Sequence, residues 1–368
     1  MSVRAGPPDE GLHVARRVWR SGLLLRFGRC MKRPPRLAPI RFWSLLFILV
    51  ACGWWWVTRT HAGTWWWAAA LNVVPPQVLL PIPLVMAWQA GRARKQGWVL
   101  LNVLAAAVFT VSVAGFGLPR AEQKHAGLPL TLLTLNTDFA GTDPAHLAQV
   151  ALREGVQVIA LQEALNRHGD PGEYEQRLRA AFPGWSVTRY DELVTISKFP
   201  ILSARSVKFP NSAHAVFVTQ VRAQGQVVDI VNMHLPAPKL LPSASDRAQN
   251  RNVQERLQLT LDIRRDFQKV AGSLIRADDH PLIIAGDLNA PPRGGVWYQL
   301  RSLGLRDAFR ESGRGFGFTH HALFGHSRID YVWLRGAKAG HTRTLRDLLS
   351  DHRAVVVKVM LPETESSE

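Results

Sequence analysis

An apolar run at positions 281–285 ends in two polar side chains, and this junction constrains the fold of the chain more than any other feature. The run reads as a buried strand, and Gly286, Asp287, Leu288 and Asn289 follow it directly. On an extended backbone, side chains two positions apart point to the same face. Asp287 and Asn289 are therefore expected to converge at the end of a central strand, where a carboxylate and an amide can hold and polarise a water molecule beside a phosphate.

Charge and tryptophan content divide the chain into two parts. Residues 1–120 carry a net charge of +13 and ten of the 13 tryptophans, whereas residues 121–368 carry only +4. Basic flanks and tryptophans beside apolar stretches are typical of membrane segments. Both cysteines, Cys30 and Cys52, lie in the first part, so the second needs no disulfide and has no thiolate chemistry. The sequence also contains no G-x-S-x-G, H-E-x-x-H or C-x-x-C motif, which disfavours serine-triad and zinc sites.

The first part contains three long apolar stretches, at about 42–57, 65–88 and 98–118. A transmembrane helix needs about 20 apolar residues, with a range of about 17–25. The sequence therefore predicts an all-α membrane anchor of three transmembrane helices over 42–118, preceded by a basic segment at 1–41. Four prolines in the middle stretch leave open that this segment kinks, or re-enters the bilayer without crossing it.

Basic residues outside the apolar stretches predict the orientation. Ten Lys and Arg precede the first stretch, Arg59 alone lies in the first link, and Arg92, Arg94 and Lys95 lie in the second. Because basic residues favour the cytoplasmic side, the N-terminus and the second link are expected there. The sequence thus predicts a multi-pass protein of the cell membrane with an extracytoplasmic C-terminal domain. Three consecutive apolar segments disfavour a cleaved signal peptide, and Met31 is an alternative start.

Short apolar runs alternate with polar helical stretches after a linker at 119–129. This alternation indicates an α/β or layered α+β domain at 130–362, and the acidic tail at 363–368 follows it. Helices are predicted at 143–154 and 245–271. Strands are predicted at 130–136, 156–162, 227–234, 281–285, 328–334 and 354–361.

Polar residues lie next to nearly every predicted strand. Taken singly, each has an ordinary explanation, because Asn and Asp form turns and a histidine on an apolar strand is more often a satisfied core residue. Their recurrence in order at strand ends is harder to attribute to turns. The candidate site residues are Asn136, Asp138, Glu163, His234, Asp287, Asn289, Asp330, Asp351 and His352.

The ordered motifs resemble the endonuclease/exonuclease/phosphatase superfamily. They are Leu135-Asn136, Leu161-Gln162-Glu163, Asn232-Met233-His234-Leu235, Gly286-Asp287-Leu288-Asn289, Ile329-Asp330-Tyr331 and Ser350-Asp351-His352. The resemblance covers about two-thirds of the chain. It implies an α/β fold, a four-layer sandwich of two mixed β-sheets flanked by helices, with the site at one rim. It also implies hydrolysis of phosphate esters or pyrophosphates with a divalent cation, expected to be Mg²⁺ with Mn²⁺ as the alternative.

The resemblance assigns roles to the candidate residues. Glu163 is the expected principal metal ligand, with Asn136 and Asp351 in support and Asp138 as a weaker match. Oxygen ligands of this kind suit Mg²⁺.

The remaining candidates are expected to act on the water and the ester. Asp287 would orient or deprotonate the attacking water, and Asn289 would hold it or a phosphate oxygen. His352 would bind the scissile phosphate or shuttle a proton, with Asp330 fixing its tautomer, and His234 would protonate the leaving oxygen. His320 and His321 follow Phe318-Thr319, at a place where the family often has Thr followed by an aromatic residue. They are assigned to a surface loop, with contact to the substrate as the alternative.

The predicted anchor bears on the substrate. The linker of about eleven residues reaches at most roughly 40 Å, so the site stays near the bilayer. We therefore expect a lipid-linked or small phosphoester as substrate and the lipid bilayer as a partner, with no obligate protein partner. This architecture is similar to bacterial membrane-bound members of the superfamily that are linked to glycopeptide resistance. An anchored nuclease acting on DNA or RNA is the alternative, and a non-enzymatic binding module is a third interpretation.

Overall fold

The structure, a computed structural model, describes residues 37–118, 126–166, 170, 172–210, 212, 214–238, 240–277, 279–322 and 325–363. Most of the predicted basic segment, residues 119–125 of the linker and residues 364–368 of the acidic tail lie outside these ranges.

The region of the predicted anchor consists of helices joined by short turns. One of its helices, over Ala38–Thr60, is long and apolar enough to cross a membrane, and the last helix is apolar but shorter. The elements are α1 Leu37–Thr60, α2 Trp66–Leu71, a 3₁₀ turn Pro76–Leu79, α3 Pro81–Arg92 and α4 Gln96–Ser112.

The predicted transmembrane segment at 65–88 is interrupted at its prolines. The structure divides this stretch into α2, the 3₁₀ turn and α3. Proline has no N–H donor and disfavours helical backbone at the preceding residue, so Pro75 and Pro76 separate the first piece from the second. Pro81 then stands at the first position of α3. The number of membrane crossings stays a prediction.

Helices α1 and α4 run in the same direction and α3 packs against both. At their starts, the guanidinium of Arg41 lies 5.9 Å from the centre of the Trp98 ring. Further along, Asn102 Nδ2 donates a hydrogen bond to Ser44 Oγ (2.9 Å). The ends of both helices therefore lie on the same side, which is the side of the C-terminal domain.

The C-terminal domain is built on two six-stranded sheets. In the first, the strand order is β13-β14-β1-β2-β4-β3, and β1 is parallel to β2. In the second, the order is β5-β6-β7-β8-β12-β9, and β7 is parallel to β8. All other neighbours are antiparallel, so both sheets are mixed. The strands are β1 Leu128–Asn136, β2 Val158–Gln162, β3 Ser186–Tyr190, β4 Leu193–Ser197, β5 Ile201–Lys208, β6 Ala215–Ala223, β7 Gln226–His234, β8 Leu282–Asp287, β9 Arg306–Asp307, β10 His320–Ala322, β11 Gly325–Ser327, β12 Asp330–Arg335, β13 Lys338–Leu345 and β14 Ala354–Leu361.

Helices cover the outer faces of both sheets, which confirms the four-layer sandwich. An aliphatic core including Leu132, Ile230 and Val357 fills the space between the sheets. A second core packs α5 and α6 against the first sheet, and a third packs α8 and α9 against the second. The helices are α5 Pro144–Arg153, α6 Gly172–Ala181, α7 Ala244–Ala248, α8 Val253–Ala277, α9 Gly295–Ser302 and α10 Ala308–Ser312.

The long helix predicted at 245–271 is two helices. The backbone N–H of Asn252 donates to Glu255, and Asn252 Oδ1 accepts from the backbone N–H of Glu255 (3.0 Å). This reciprocal pair satisfies free donors at the start of α8 and makes a new helix begin there. The predicted helix at 143–154 corresponds to α5, whose first turn is capped by Asp143.

Strand register brings the predicted site residues to one edge. His234 at the end of β7 is level with Asp287 at the end of β8, and Asp330 on β12 is level with Asp287 from the other side. In the facing sheet, Asn136 ends β1 beside Gln162 at the end of β2. The site therefore forms where the two sheets present the ends of their central strands together.

Candidate active site

Asp287 lies at the centre of the candidate site and is almost fully buried. Its Oδ1 accepts a hydrogen bond from the backbone N–H of Asn289 (2.7 Å), and its Oδ2 accepts from Asn136 Nδ2 (3.3 Å). The Nε2 atoms of His234 and His352 lie 3.7 and 3.9 Å from Oδ2. One carboxylate thus faces both histidines and both amide residues.

The turn after β8 explains why Asp287 and Asn289 converge. Gly286 has φ +145°, and a Cβ there would lie 1.9 Å from the carbonyl oxygen of Met233, so glycine alone fits. Asn289 has φ +45°, in the left-handed region that asparagine tolerates better than most residues. Buried Arg264 on α8 donates to the carbonyl oxygen of Asn289 (2.6 Å) and holds this turn in place.

Glu163 and Asn136 form the part of the site that the first sheet contributes. Asn136 Nδ2 donates to Glu163 Oε1 (2.9 Å), and His234 Nε2 lies 3.8 Å from the same oxygen. Asp138 reaches the site through its backbone, whose N–H donates to Asn136 Oδ1 (3.0 Å). Asn136 therefore connects the carboxylates of Glu163 and Asp287.

His352 and Asp330 form a buried pair. His352 Nδ1 donates to Asp330 Oδ2 (2.9 Å), so Nε2 faces the site. Ser350 Oγ donates to the carbonyl oxygen of Asn136 (2.7 Å) and accepts from the backbone N–H of His352 (3.0 Å). These contacts fix the segment before β14 against the end of β1.

Each histidine has a carboxylate partner that changes its pKa. Burial alone lowers the pKa of His352, but the charge of Asp330 and its hydrogen bond outweigh this and raise it to about 10. Burial also lowers the pKa of His234, yet the hydrogen bond to Glu192 and the charge of Asp287 raise it to about 9. Both imidazoles are therefore cationic at neutral pH.

The pKa of Asp287 is also raised, which for a carboxyl group favours the neutral form. Burial and the charge of Asp330 raise its pKa above the usual range, and the two cationic histidines partly offset this. A carboxylate with a raised pKa is a stronger base than an exposed aspartate, which is what removal of a proton from water requires.

His320 belongs to the site, so its assignment to a surface loop is wrong. It lies on strand β10 and forms a β-bridge with His352. Its Nε2 is 3.5 Å from Asp351 Oδ2, and its ring centre is 4.5 Å from that of His352. Burial and the charge of His352 lower the pKa of His320. The preceding Thr319, whose Oγ1 accepts from the backbone of Asp330 (3.2 Å), was the signal in the sequence.

Contacts join seven of the nine candidate residues, whereas Asp138 reaches the site only through its backbone and Asp351 adjoins it through His352. Direct contacts join Asn136, Glu163, His234, Asp287 and Asn289, and His352 with Asp330 adjoins them through Asp287. Asp351 is half exposed and lies 4.0 Å from His352 Nε2. Sequence reasoning missed Glu192, whose Oε1 accepts from His234 Nδ1 (3.0 Å), because it occupies a plain turn between β3 and β4.

The donor set fits a divalent cation. Carboxylate oxygens dominate it, as hard cations require. Asp330 Oδ1 is buried and has no hydrogen-bond partner among the described residues. Ligand atoms of Asp287, Asp330 and His352 lie within 4.8 Å of one another, as do those of His320, Asp351 and His352. The carboxylates of both groups suit a cation, whereas His352 would ligate one only in its neutral form.

The fold and the site together define a hydrolase of phosphoester bonds. Residues 133–352 match the endonuclease/exonuclease/phosphatase family, which is more than half of the chain, so the chain belongs to this family. Members of the family are hydrolases of phosphoesters that generally depend on a divalent metal.

Solved structures of the same fold are similar to the domain at low sequence identity. A family protein from Leptotrichia buccalis is 16% identical, with a TM-score of 0.46, covering 63% of this chain and all of the other. A family protein from Bacteroides vulgatus is 15% identical, with a TM-score of 0.49, covering 64% of this chain and all of the other. D. rerio TDP2, complexed with single strand DNA product, is 16% identical, with a TM-score of 0.47, covering 63% and 98%. Comparison with curated proteins found no match.

Proposed function

We propose that the chain is a membrane-anchored, Mg²⁺-dependent phosphoesterase that hydrolyses a lipid-linked or small phosphoester, or a pyrophosphate, at the extracytoplasmic face of the cell membrane. The family supports hydrolysis of a phosphoester. Helix α1 and the charge pattern of the N-terminal part support the anchor.

Contacts between the predicted anchor and the loops of the active site carry the proposal. Arg293, four residues after Asn289, donates to the carbonyl oxygen of Ser112 at the end of α4 (2.6 Å). Gly117 then forms a β-bridge with Gly315, shortly before β10. An enzyme for a soluble polymer gains nothing from joining its active-site rim to apolar helices, whereas an enzyme for a membrane phosphate does.

The arrangement of side chains indicates how hydrolysis would proceed. Glu163, Asn136 and Asp351 would hold the metal ion, which neutralises phosphate charge when bound. Asp287 takes a proton from the attacking water while Asn289 holds that water or a phosphate oxygen. Cationic His352, held by Asp330, binds the phosphate oxygens, on which negative charge develops.

His234 would protonate the leaving oxygen. Glu192 holds its Nδ1, so Nε2 faces Asp287 and Glu163 at the site. A raised pKa keeps this proton available at neutral pH. His234 and Asp287 would thus act as acid and base in the same turnover.

Assay of the full chain in phospholipid nanodiscs tests the proposal. A polyprenyl pyrophosphate, a phospholipid and plasmid DNA are offered in parallel with Mg²⁺, with Mn²⁺ and with EDTA. We expect release of phosphate from a lipid substrate with either metal and none with EDTA. Cleavage of plasmid DNA alone would replace the proposal with an anchored nuclease, and full activity in EDTA would refute the metal-assisted mechanism.

A further inference from the structure

Helices α1 and α4 leave a cavity between them on the side near the catalytic domain. They touch where Ser44 meets Asn102 and again where the Phe47 ring meets the Phe109 ring, with ring centres 5.4 Å apart. The cavity has a volume of about 320 Å³, and the described residues that line it belong to α1, α4 and the position after α4. Its walls are apolar side chains such as Phe47, Ala51 and Ala105. The volume lies within the range of about 300–1,000 Å³ that ligand pockets occupy.

A series of phenylalanines connects this cavity with the active site. Phe316 packs against the apolar cluster that contains Phe47 and Phe109, both of which line the cavity. The Phe316 ring meets Phe116 edge-on and stacks on Phe318, with ring centres 5.0 Å apart in each case. Phe318 precedes Thr319 and His320 at the site. We call Phe116, Phe316 and Phe318 the aromatic track, and all three remain partly exposed.

We propose that the cavity between α1 and α4, together with the aromatic track, binds the hydrocarbon chain of a lipid phosphate while its phosphate lies at Asp287 and His352. This inference rests on the proposed function and names the part of the substrate that the chain recognises besides the phosphate.

The chemistry of the walls favours a hydrocarbon chain. Helix α1 is apolar enough to lie in the bilayer core, and a groove on it there meets acyl or prenyl chains rather than water. Aromatic rings also stack on nucleic-acid bases, but Phe316 packs on the membrane helices, where a base would leave water for hydrocarbon.

Substrate chain length should therefore control activity. Lipid tails are as apolar as the groove, so a longer chain gains affinity through contacts with the aromatic track that a short chain does not make. We compare kcat/KM for dimethylallyl and farnesyl pyrophosphate, which share a headgroup and differ in chain length. The ratio should favour farnesyl pyrophosphate in the wild type and fall about tenfold or more in the double variant Phe316→Ala/Phe318→Ala. Phe199→Ala, a partly buried phenylalanine at the opposite end of the first sheet, should leave the ratio unchanged.

Photo-crosslinking tests the groove independently of catalysis. Full-length Asp287→Ala protein in nanodiscs is irradiated with farnesyl phosphate that carries a diazirine on its last isoprene unit. We expect adducts on Ala51, Ala105 and Phe316 that unlabelled farnesyl phosphate displaces and farnesol does not. Ala105→Leu should reduce these adducts. Leu49→Met changes an exposed position outside the cavity and serves as the control, which should leave the adducts unchanged.

The outcomes separate the inference from the proposed function. Adducts spread over bilayer-facing positions, or displaced equally by farnesol, would overturn the groove as a site for the lipid phosphate. A wild-type enzyme that hydrolyses both pyrophosphates with a ratio unaffected by the double variant would overturn the track while leaving the function intact. A wild type without activity on any lipid phosphate would refute the function, and the crosslinking result would still decide the groove.

Discussion

The Asp287 carboxylate receives opposite influences from its neighbours. Burial and Asp330 favour its protonated form, while His234 and His352 favour the ionised form. The result is a base with a raised proton affinity that still contacts the two cationic histidines. Asp287 ends β8, and the neighbours that set its pKa come from three other segments of the chain.

Asp287→Ala should therefore lower kcat by about 10²–10⁴-fold, the usual contribution of a general base. The folded state should persist, and excess Mg²⁺ should not restore the rate, because the lost group acts on water. Phosphate release measured across a Mg²⁺ titration checks this. Asp229→Ala removes another buried carboxylate from the far end of the same sheet and should keep kcat near that of the wild type.

Glu163→Ala should behave differently from Asp287→Ala. Removing one carboxylate from a weakly held cation raises the Mg²⁺ concentration needed for half-maximal activity, and excess Mg²⁺ should recover part of the rate. The same titration, run on both variants, measures it. Rescue of Asp287→Ala but not of Glu163→Ala would mean that the two roles are reversed.

At the scale of secondary-structure elements, a buried ion pair supports the wall beside the site. Arg328 donates two hydrogen bonds to Asp307 (2.9 and 2.7 Å) and lies between the rings of Phe309 and Tyr331. Asp307 also caps α10 and accepts from Trp297 Nε1 (2.9 Å). The pair thus ties α9, α10 and the start of β12 together.

Asp307→Asn should destabilise the domain by about 3–5 kcal/mol, because it leaves Arg328 buried without its counter-charge. Burial raises the pKa of Asp307, but Arg328 and the hydrogen bonds outweigh this and hold it below its ordinary value. The stabilisation is therefore complete above the unfolded pKa of about 3.9 and disappears as pH falls through the lower folded pKa.

Unfolding free energies of the full chain in detergent, measured at pH 6 and between about pH 4 and 2, check this expectation. The difference between wild type and Asp307→Asn should be large at pH 6 and shrink in acid. Asp143→Asn, at an exposed helix cap, should cost at most about 1 kcal/mol and serves as the control. A difference independent of pH would contradict the assignment of the effect to the ionised pair.

At the scale of the whole molecule, the positions of basic residues and the contacts of the helix ends indicate the same orientation of the chain. The guanidinium of Arg59, near the end of α1, lies 5.4 Å from the centre of the Tyr298 ring on α9. The end of α4 is bound by Arg293. Arg41, Arg92 and Lys95 lie at or beside the opposite ends of the helices. Positive charge is thus concentrated on the side away from the catalytic domain, as the predicted orientation requires.

Single cysteines should report this orientation in intact cells. In a background with Cys30→Ser and Cys52→Ser, Leu152→Cys on the highly exposed surface of α5 should react with a membrane-impermeant maleimide. Lys95→Cys should react only after permeabilisation. The reverse pattern would place the catalytic domain in the cytoplasm, and equal labelling of both positions would argue against a membrane between them.

The sequence by itself determined the features that depend on local order. Asp143 predicted the start of α5, and the apolar run before Gly286 predicted β8. The succession of polar residues at strand ends indicated the family and the layered sandwich. The prolines at 75, 76 and 81 also marked where the middle apolar stretch would be interrupted. Each of these signals lies within a few residues of the structure that it predicts.

Only the tertiary structure decided which distant segments meet. Glu192 became the partner of His234, and His320 came to lie on His352, because of strand pairing between segments far apart in sequence. The exposed edge strand β5 has no apolar run in the sequence from which it could be predicted. The contact of Arg293 with Ser112 likewise spans 181 positions. Local propensity carries no information about such contacts, because strand register and packing between layers fix them. The contact of Arg293 with Ser112 joins the helices to the loop beside the site.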